Sequence, residues 1–177
     1  MQTPRALTMT LISPYTINIF PKANPNTSPG NVQVDVNHMG GPFDPALHNE
    51  YKDSETNSGL VAQWKTYADT CQKHGTPAIA QISHPGRQSF RVAGHRGIFA
   101  PTLAPSAVPI KVGNSYLEGL IGCLVWSGPK EMTTQDVERV IRQFVDTARL
   151  MADAGFSGVE LHGAHGYLIG MLSFFPF

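Results

Sequence analysis

The most informative stretch of the chain reads Phe156-Ser-Gly-Val-Glu-Leu-His-Gly-Ala-His-Gly-Tyr167. Its first half is a short apolar run typical of a buried strand, and its second half places two histidines and a tyrosine within six residues. A long amphipathic pattern precedes the stretch and ends at Gly155. The order of helix, glycine turn, strand and polar cluster is typical of an α/β barrel, in which reactive side chains lie at the C-terminal ends of the strands. The stretch therefore predicts both the fold class and the place of the chemistry.

Two helix-then-strand units occur in tandem. In the first, apolar residues at helical spacing predict a helix over about 58–74, and the run over 77–82 predicts a buried parallel strand. In the second, Thr133 or Thr134 caps a helix with one apolar face, and a strand follows over 157–161. Repeated units of this kind predict that the two strands are adjacent and parallel.

The rest of the chain shows weaker patterns. Residues 1–29 are predicted to form an irregular N-terminal segment, and residues 30–177 to form one domain. The alternation from Val32 to Val36 predicts a short strand. Residues 84–131 form a long excursion interrupted by prolines, and excursions of that length are usually functional or carry small local elements.

The composition is that of a globular protein with much loop. The chain has 177 residues, of which 13 are basic and 13 acidic, so no charge excess favours a nucleic acid or a membrane as a partner. It is short for a complete eight-stranded α/β barrel, which needs roughly 250 residues. Cys71 and Cys123 show neither a disulfide framework nor a metal-type spacing, and the N-terminal apolar run is too short and polar for a membrane span or a good signal peptide. We therefore expect a cytoplasmic protein with reduced thiols.

His162 and His165 admit three interpretations. A metal pair is the first, but no obvious third ligand lies nearby, so we expect no metal there. Two loop histidines satisfied by the backbone are the second. The third, which we favour, is a pair of N–H donors that holds an anionic or carbonyl oxygen, with Tyr167 as a proton donor. A phenol, whose pKa is ordinarily about 10, stays protonated at neutral pH and can deliver a proton.

Gln81 ends the first buried strand. A buried amide needs partners for both its donor and its acceptor ends. A ring with alternating N–H and C=O groups would satisfy it, and so would other polar groups of the core, so the residues alone leave both interpretations open. His84 and Arg87, in the same polar cluster, stay ambiguous in the same way.

Three segments carry a resemblance to a known family, namely Gln81-Ile-Ser-His-Pro-Gly-Arg-Gln-Ser89, Ala104-Pro-Ser-Ala107 and Ala154-Gly-Phe-Ser-Gly-Val-Glu-Leu-His-Gly-Ala-His-Gly-Tyr-Leu168. Together they resemble the Old Yellow Enzyme family of NADH:flavin oxidoreductases, and Gly30-Asn-Val-Gln-Val-Asp35 resembles the segment after that family's second strand. The resemblance covers about residues 30–172. It implies a TIM barrel with bound flavin mononucleotide (FMN), NAD(P)H as reductant and an enone-like small molecule as substrate.

The resemblance also implies a role for each site residue. Gln81 corresponds to a glutamine that hydrogen-bonds the flavin pyrimidine ring. His162 and His165 correspond to the pair that grips the substrate carbonyl oxygen, and Tyr167 to the tyrosine that protonates the substrate α-carbon. The cofactor carries the hydride chemistry, and the protein supplies orientation and oxyanion stabilisation.

The resemblance implies only the N-terminal half of such an enzyme, an incomplete (β/α)8 barrel truncated at its C-terminus. Ser157 stands where the family usually has Asp, and the family's flavin-side arginine and phosphate site would lie in the missing half. We therefore expect the isolated chain to bind FMN weakly or not at all, and to self-associate through exposed barrel edges. The competing hypothesis is a catalytically inactive half-barrel that acts by association or has no function.

Overall fold

The computed structural model describes residues 32–39, 51–91 and 94–174. The irregular segment predicted over residues 1–29 lies outside the described residues. The elements, in chain order, are β1 (Val32–Gln33), α1 (Ser58–Gln72), β2 (Ile79–Ser83), a one-turn 3₁₀ helix (Gly86–Gln88), β3 (Thr102–Ala104), α2 (Tyr116–Val125), β4 (Pro129–Glu131), α3 (Thr134–Asp153), β5 (Gly158–Leu161) and α4 (Leu168–Phe174).

Three parallel strands form the sheet that carries the candidate site. Their order is β1-β2-β5, with β2 in the centre. In the register of β2 and β5, Ala80 lies opposite Val159 and Gln81 lies opposite Glu160. The prediction that the strands near 77–82 and 157–161 are adjacent and parallel is therefore confirmed. Strands β3 and β4 pair in parallel as a second, two-stranded sheet.

Helices α1 and α3 pack on one face of the three-stranded sheet. Ala80 and Ile82 of β2 point to this face, where they join Ala68 of α1 and Leu150 and Met151 of α3 in one buried cluster. Alternate residues of a strand point to opposite faces, so the neighbours of Ala80 and Ile82 face away from the helices. Since the helices cover one face of the sheet, the strand residues that can form a site are those on the opposite face.

Helix α3 begins and ends where local sequence signals predict. The Thr133 hydroxyl accepts a hydrogen bond from the Asp136 amide, and the Asp136 carboxylate accepts one from the Thr133 amide, which is a capping box. Gly155, with a φ of 87°, ends the helix in the left-handed conformation that glycine adopts without strain. The next strand then starts at a defined angle to the sheet.

Truncating Leu150, a core side chain of α3, is expected to destabilise the fold strongly. Leu150 is fully buried in the α1–α3–sheet cluster, so Leu150→Ala should lower the free energy of unfolding by about 2–5 kcal/mol. Ile141 lies on the same helix but is 56% exposed, and Ile141→Ala should cost no more than about 0.5 kcal/mol. Urea unfolding followed by circular dichroism compares the two variants. Equal losses would contradict the assignment of this face as the core.

The excursion over residues 84–131 carries small local elements, namely the 3₁₀ helix, β3, α2 and β4. Ser115 and Glu118 cap α2 with a second capping box. No helix among the described residues combines the length and the apolar character that a membrane crossing requires. Several large apolar side chains of α2 are exposed, namely Tyr116, Leu117, Leu120, Ile121 and Leu124.

Candidate functional site

The sheet face opposite the helices carries a row of polar side chains. Gln81 and Glu160 are register partners, so their side chains point to the same face. The ladder continues one step further, because the His162 amide donates to the Ile82 carbonyl over 3.0 Å. By alternation, Ser83 and His162 share the face of Gln81 and Glu160. The carboxyl ends of β2 and β5 thus bring two residues of the predicted site to one side of the sheet.

His162, His165 and Tyr167 form one contiguous cluster after β5. Nδ1 of His165 lies 3.1 Å from Nε2 of His162, so one imidazole donates a hydrogen bond to the other. The two ring centroids are 5.0 Å apart. The ring of Tyr167 meets His162 edge-on, with centroids 4.9 Å apart and an interplanar angle of 87°. Two imidazoles and a phenol ring therefore converge on one small volume.

Burial sets the charge state of this cluster. His162 is 6% exposed, and this burial, together with the neighbouring His165, lowers the pKa of the His162 imidazole below its usual value. Glu160 opposes that shift. At neutral pH His162 is therefore uncharged, with one nitrogen that donates and one that accepts. A neutral N–H donor suits the stabilisation of negative charge that develops during a reaction.

Buried side-chain amides lie on the same face of the neighbouring strands. Gln81 is 8% exposed and Gln33 is 1% exposed. The Ser83 hydroxyl donates to Oε1 of Gln33 over 3.3 Å, and Gln33 and Ser83 are register partners across β1 and β2. These buried donors and acceptors fit a planar ring with alternating N–H and C=O groups.

Gln33 is a candidate that the sequence analysis did not single out. The signal for it was present, because Val32 and Val34 enter the core cluster and alternation then places Gln33 on the opposite face. Arg87, whose role the sequence left open, donates to the Val108 carbonyl and to the Met171 sulfur. Its guanidinium therefore ties the excursion and α4 together.

One group of three buried side chains among the described residues has metal-ligand chemistry, namely Asp35, His38 and His84. Nδ1 of His38 donates to the Asp35 carboxylate over 2.9 Å. Nδ1 of His84 accepts the Gly86 amide proton over 3.0 Å, so the proton of the neutral His84 ring resides on Nε2, which faces Asp35 at 3.9 Å. Both nitrogens of the His84 ring are thus occupied by a proton or a hydrogen bond, whereas Nε2 of His38 is buried without a hydrogen-bond partner. The group is a buried cluster in which a hydrogen bond joins Asp35 and His38, and His84 lies beside the Asp35 carboxylate.

The charge states of this cluster follow from its burial. Burial lowers the pKa of the His84 imidazole to about 3, and His38 adds to the effect, so His84 is neutral. Burial raises the pKa of the Asp35 carboxyl, but the hydrogen bond and the charge of His38 outweigh it, so the net pKa lies well below its usual value. A buried carboxylate with these donors is a fixed negative centre beneath the ends of β1 and β2.

Comparison with known proteins supports the family resemblance. A sequence model described as the NADH:flavin oxidoreductase / NADH oxidase family matches residues 46–174. A NADH-dependent flavin oxidoreductase from Talaromyces variabilis is 44% identical over 140 residues, which are 79% of this chain and 33% of that protein. Another from Neonectria sp. (strain DH2) is 41% identical over 140 residues, 79% of this chain and 18% of that protein. The chain thus spans about a third or less of the length of these curated relatives.

Solved structures give the same fold. The old yellow enzyme from Trypanosoma cruzi is 29% identical, with a TM-score of 0.57 over 78% of this chain and 37% of its own. Morphinone reductase, at 19% identity, shares the fold alone, with a TM-score of 0.61 over 78% of this chain and 35% of its own. The predicted fold class, an incomplete α/β barrel, is confirmed. The roles predicted for Gln81, His162, His165 and Tyr167 stay predictions.

Proposed function

The chain belongs to the NADH:flavin oxidoreductase / NADH oxidase family, and on that premise we propose that its polar sheet face is the cofactor and substrate region of an FMN-dependent oxidoreductase that reduces activated alkenes with NAD(P)H. The observation that carries the proposal is the convergence of His162, His165 and Tyr167 at the end of β5. An enone-like small molecule is the proposed substrate class, because its carbonyl oxygen gains negative charge as the double bond is reduced.

Bound FMN would supply the hydride chemistry between NAD(P)H and the alkene. The buried amides fit this cofactor, because Gln81 and Gln33 offer donors and acceptors on the face that also carries His162. We assign Gln81 to the flavin pyrimidine edge. We therefore propose a cofactor-binding role for the buried amides of this sheet face in addition to packing.

The residues after β5 are proposed to act on the substrate. His162 and His165 donate hydrogen bonds to the substrate carbonyl oxygen, which requires their mutual hydrogen bond to be exchanged for two bonds to that oxygen. Once both N–H groups face that oxygen, they stabilise the negative charge that develops there. Tyr167, edge-on to His162, delivers a proton to the α-carbon as general acid. In this proposal the proton comes from Tyr167, the hydride from FMN, and the negative charge on the oxygen is stabilised by the two histidines.

Flavin binding tests the proposal. We expect FMN titrated into the purified chain to give saturable fluorescence quenching, with affinity in the micromolar range or weaker. Gln81→Leu should weaken it by about 5–10-fold, the loss of one net hydrogen bond. Gln63, exposed on α1, provides the matched control Gln63→Leu, which should leave affinity unchanged. Affinity that does not depend on Gln81 would contradict the proposed cofactor site.

A second candidate function is association without catalysis. The observation in its favour is α2, where Tyr116 is 94% exposed and Leu117 and Leu124 are 66% and 67% exposed. Apolar side chains exposed together on one helix commonly mark an interaction surface. Light scattering combined with visible absorption separates the two functions. A colourless oligomer that stays apo in excess FMN would favour association, whereas flavin-dependent turnover of an enone would favour the enzyme.

A further inference from the structure

The segment that carries His165 has an unusual backbone. His165 has a φ of 56° and Gly166 a φ of 67°, so two consecutive residues adopt the left-handed conformation. Glycine does so freely, but for a histidine this conformation is unfavourable and persists only where the surroundings hold it. The direction in which the His165 imidazole leaves the chain depends on this backbone. Whatever fixes the backbone therefore fixes the second imidazole of the site.

One side chain bonds to both left-handed residues. Nε2 of Gln88, in the 3₁₀ helix after β2, donates to the His165 carbonyl over 2.7 Å and to the Gly166 carbonyl over 3.0 Å. A side-chain amide has two N–H protons, and here each meets one carbonyl. The backbone of Gln88 is also held in place, because its backbone amide donates to the Pro85 carbonyl over 3.1 Å. The contact is therefore a clamp between two segments far apart in sequence.

Two backbone hydrogen bonds also join the end of β2 to the segment from His162 to Leu168. The His162 amide donates to the Ile82 carbonyl, and the Leu168 amide donates to the His84 carbonyl over 3.0 Å. These bonds fix the two ends of the segment, whereas Gln88 contacts its middle, where the conformation is strained. The fit is close, since a Cβ added to Gly166 would lie 3.2 Å from Nε2 of Gln88. Among these bonds, the Gln88 contact is the one that a substitution can remove.

We propose that Gln88 is a positioning residue, which holds His165 in its left-handed conformation and so places the His165 imidazole beside His162. This inference rests on the proposed function for its catalytic meaning, since the two imidazoles are the proposed carbonyl-binding pair. The hydrogen bonds of the Gln88 side chain go to backbone carbonyls and not to the imidazoles. Its effect passes through the two carbonyls that it binds.

Substitutions at Gln88 separate the effect of its N–H donors from the effect of its size and shape. Gln88→Glu keeps the shape and replaces the two donors with a carboxylate that faces two carbonyls. Gln88→Lys restores N–H donors on a flexible stem. Gln88→Met, nearly isosteric and without donors, takes the place of Gln88→Glu should the carboxylate prevent folding. Cooperative thermal unfolding of each variant confirms that the chain is folded before any other reading is taken.

The first measurement needs no flavin. Histidine side-chain ¹H–¹⁵N spectra of the labelled chain report the imidazole–imidazole hydrogen bond, with His162→Gln and His165→Gln used for assignment. We expect the shared N–H···N signal in the wild-type and Gln88→Lys chains and its loss in Gln88→Glu or Gln88→Met. A signal that survives in the folded variants without donors would overturn the proposal, and so would its absence from the wild-type chain.

The second measurement uses cyclohex-2-enone, NADH and excess FMN. Gln88→Glu should raise KM for the enone about tenfold with flavin reduction by NADH changed less than about twofold, the pattern of a lost binding geometry. Gln88→Lys should restore most of that loss. Equal effects on both half-reactions would contradict a positioning role. If the wild-type chain shows no turnover, the proposed function fails, while the imidazole spectra still decide whether Gln88 positions His165.

Discussion

Tyr167→Phe is expected to slow alkene reduction by about 10²–10⁴-fold, the range that removal of a positioned general acid produces. The substitution deletes the hydroxyl and keeps the ring, so the edge-on contact with His162 and the 4.9 Å centroid distance are retained. Reduction of the flavin by NADH needs no proton delivered to carbon, so its rate should stay within about twofold of the wild-type rate. Stopped-flow absorbance with FMN in excess measures the two half-reactions separately, first with NADH and then with cyclohex-2-enone.

Tyr116→Phe is the matched control for this experiment. Tyr116 begins α2 and is 94% exposed, so removing its hydroxyl should leave both half-reactions unchanged. The informative pattern is the ratio of the two rates in Tyr167→Phe. If both half-reactions slow by the same factor, the hydroxyl supports the site as a whole and the general-acid role is wrong. An unchanged alkene rate would assign the proton to another donor.

Where the local sequence signals agreed, the fold was predictable. Helix α3 has a capping residue, one apolar face and a terminal glycine, and each signal points to the same element. Strands β2 and β5 were predictable as short apolar runs that follow helices, and their pairing followed from the preference of such units for parallel neighbours. Independent signals that agree carry more weight than propensity alone.

Helix α2 was not predicted, because its capping signal favours a helix whereas its apolar residues show no helical stripe. Its start carries a capping box at Ser115 and Glu118, which identifies a helix N-terminus. Yet most of its large side chains are exposed, so its apolar residues form no core-facing stripe that periodicity would reveal. Strands β3 and β4 each have three residues, too few for an alternating pattern, and β4 begins at a proline.

Strand β1 ends earlier than its alternation predicts. The pattern runs to Val36, but the strand ends at Gln33. The Asp35 carboxylate accepts the Asn37 amide over 2.8 Å, and the His38 amide donates to the Asp35 carbonyl over 3.0 Å, so the chain turns there. An aspartate that bonds to the backbone two residues on favours a turn over a longer strand. Hydrophobic alternation cannot report that competition.

Part of the candidate site was visible in the local sequence, and the rest depends on contacts between distant residues. His162, His165 and Tyr167 lie within six residues, so their proximity was visible in the sequence. The Gln88 clamp joins residues 77 and 78 positions apart, and the Asp35–His84 approach joins two strand ends. Such contacts depend on strand register and on the 3₁₀ turn, which no local pattern specifies. Sequence motifs thus indicated the candidate reacting groups, and the packed structure revealed the contacts around them.

The buried Asp35–His38–His84 cluster predicts that the fold loses stability in mild acid. The folded-state pKa of His84 is about 3, below the ordinary value of 6.5, so in this range the unfolded chain binds a proton that the folded chain excludes. Stability falls wherever the unfolded state binds more protons and the pH decreases. Between pH 7 and pH 4.5, this single group should remove about 2–3 kcal/mol of unfolding free energy. Asp35, whose pKa is also lowered, loses its contribution only below its ordinary pKa of 3.8, outside that window.

His84→Asn should flatten this pH dependence. The asparagine Oδ1 can accept the Gly86 amide proton that Nδ1 of His84 accepts, and the side chain does not titrate. The groups around His84 would all remain, namely Asp35, His38, Arg96 and Arg139. Urea unfolding at pH 7 and pH 4.5 measures the difference, with His74→Asn as the control because His74 is exposed in the turn after α1. An undiminished acid loss in His84→Asn would show that another group carries it. A flattened profile would show that the neutral imidazole beneath the ends of β1 and β2 makes this fold sensitive to acid.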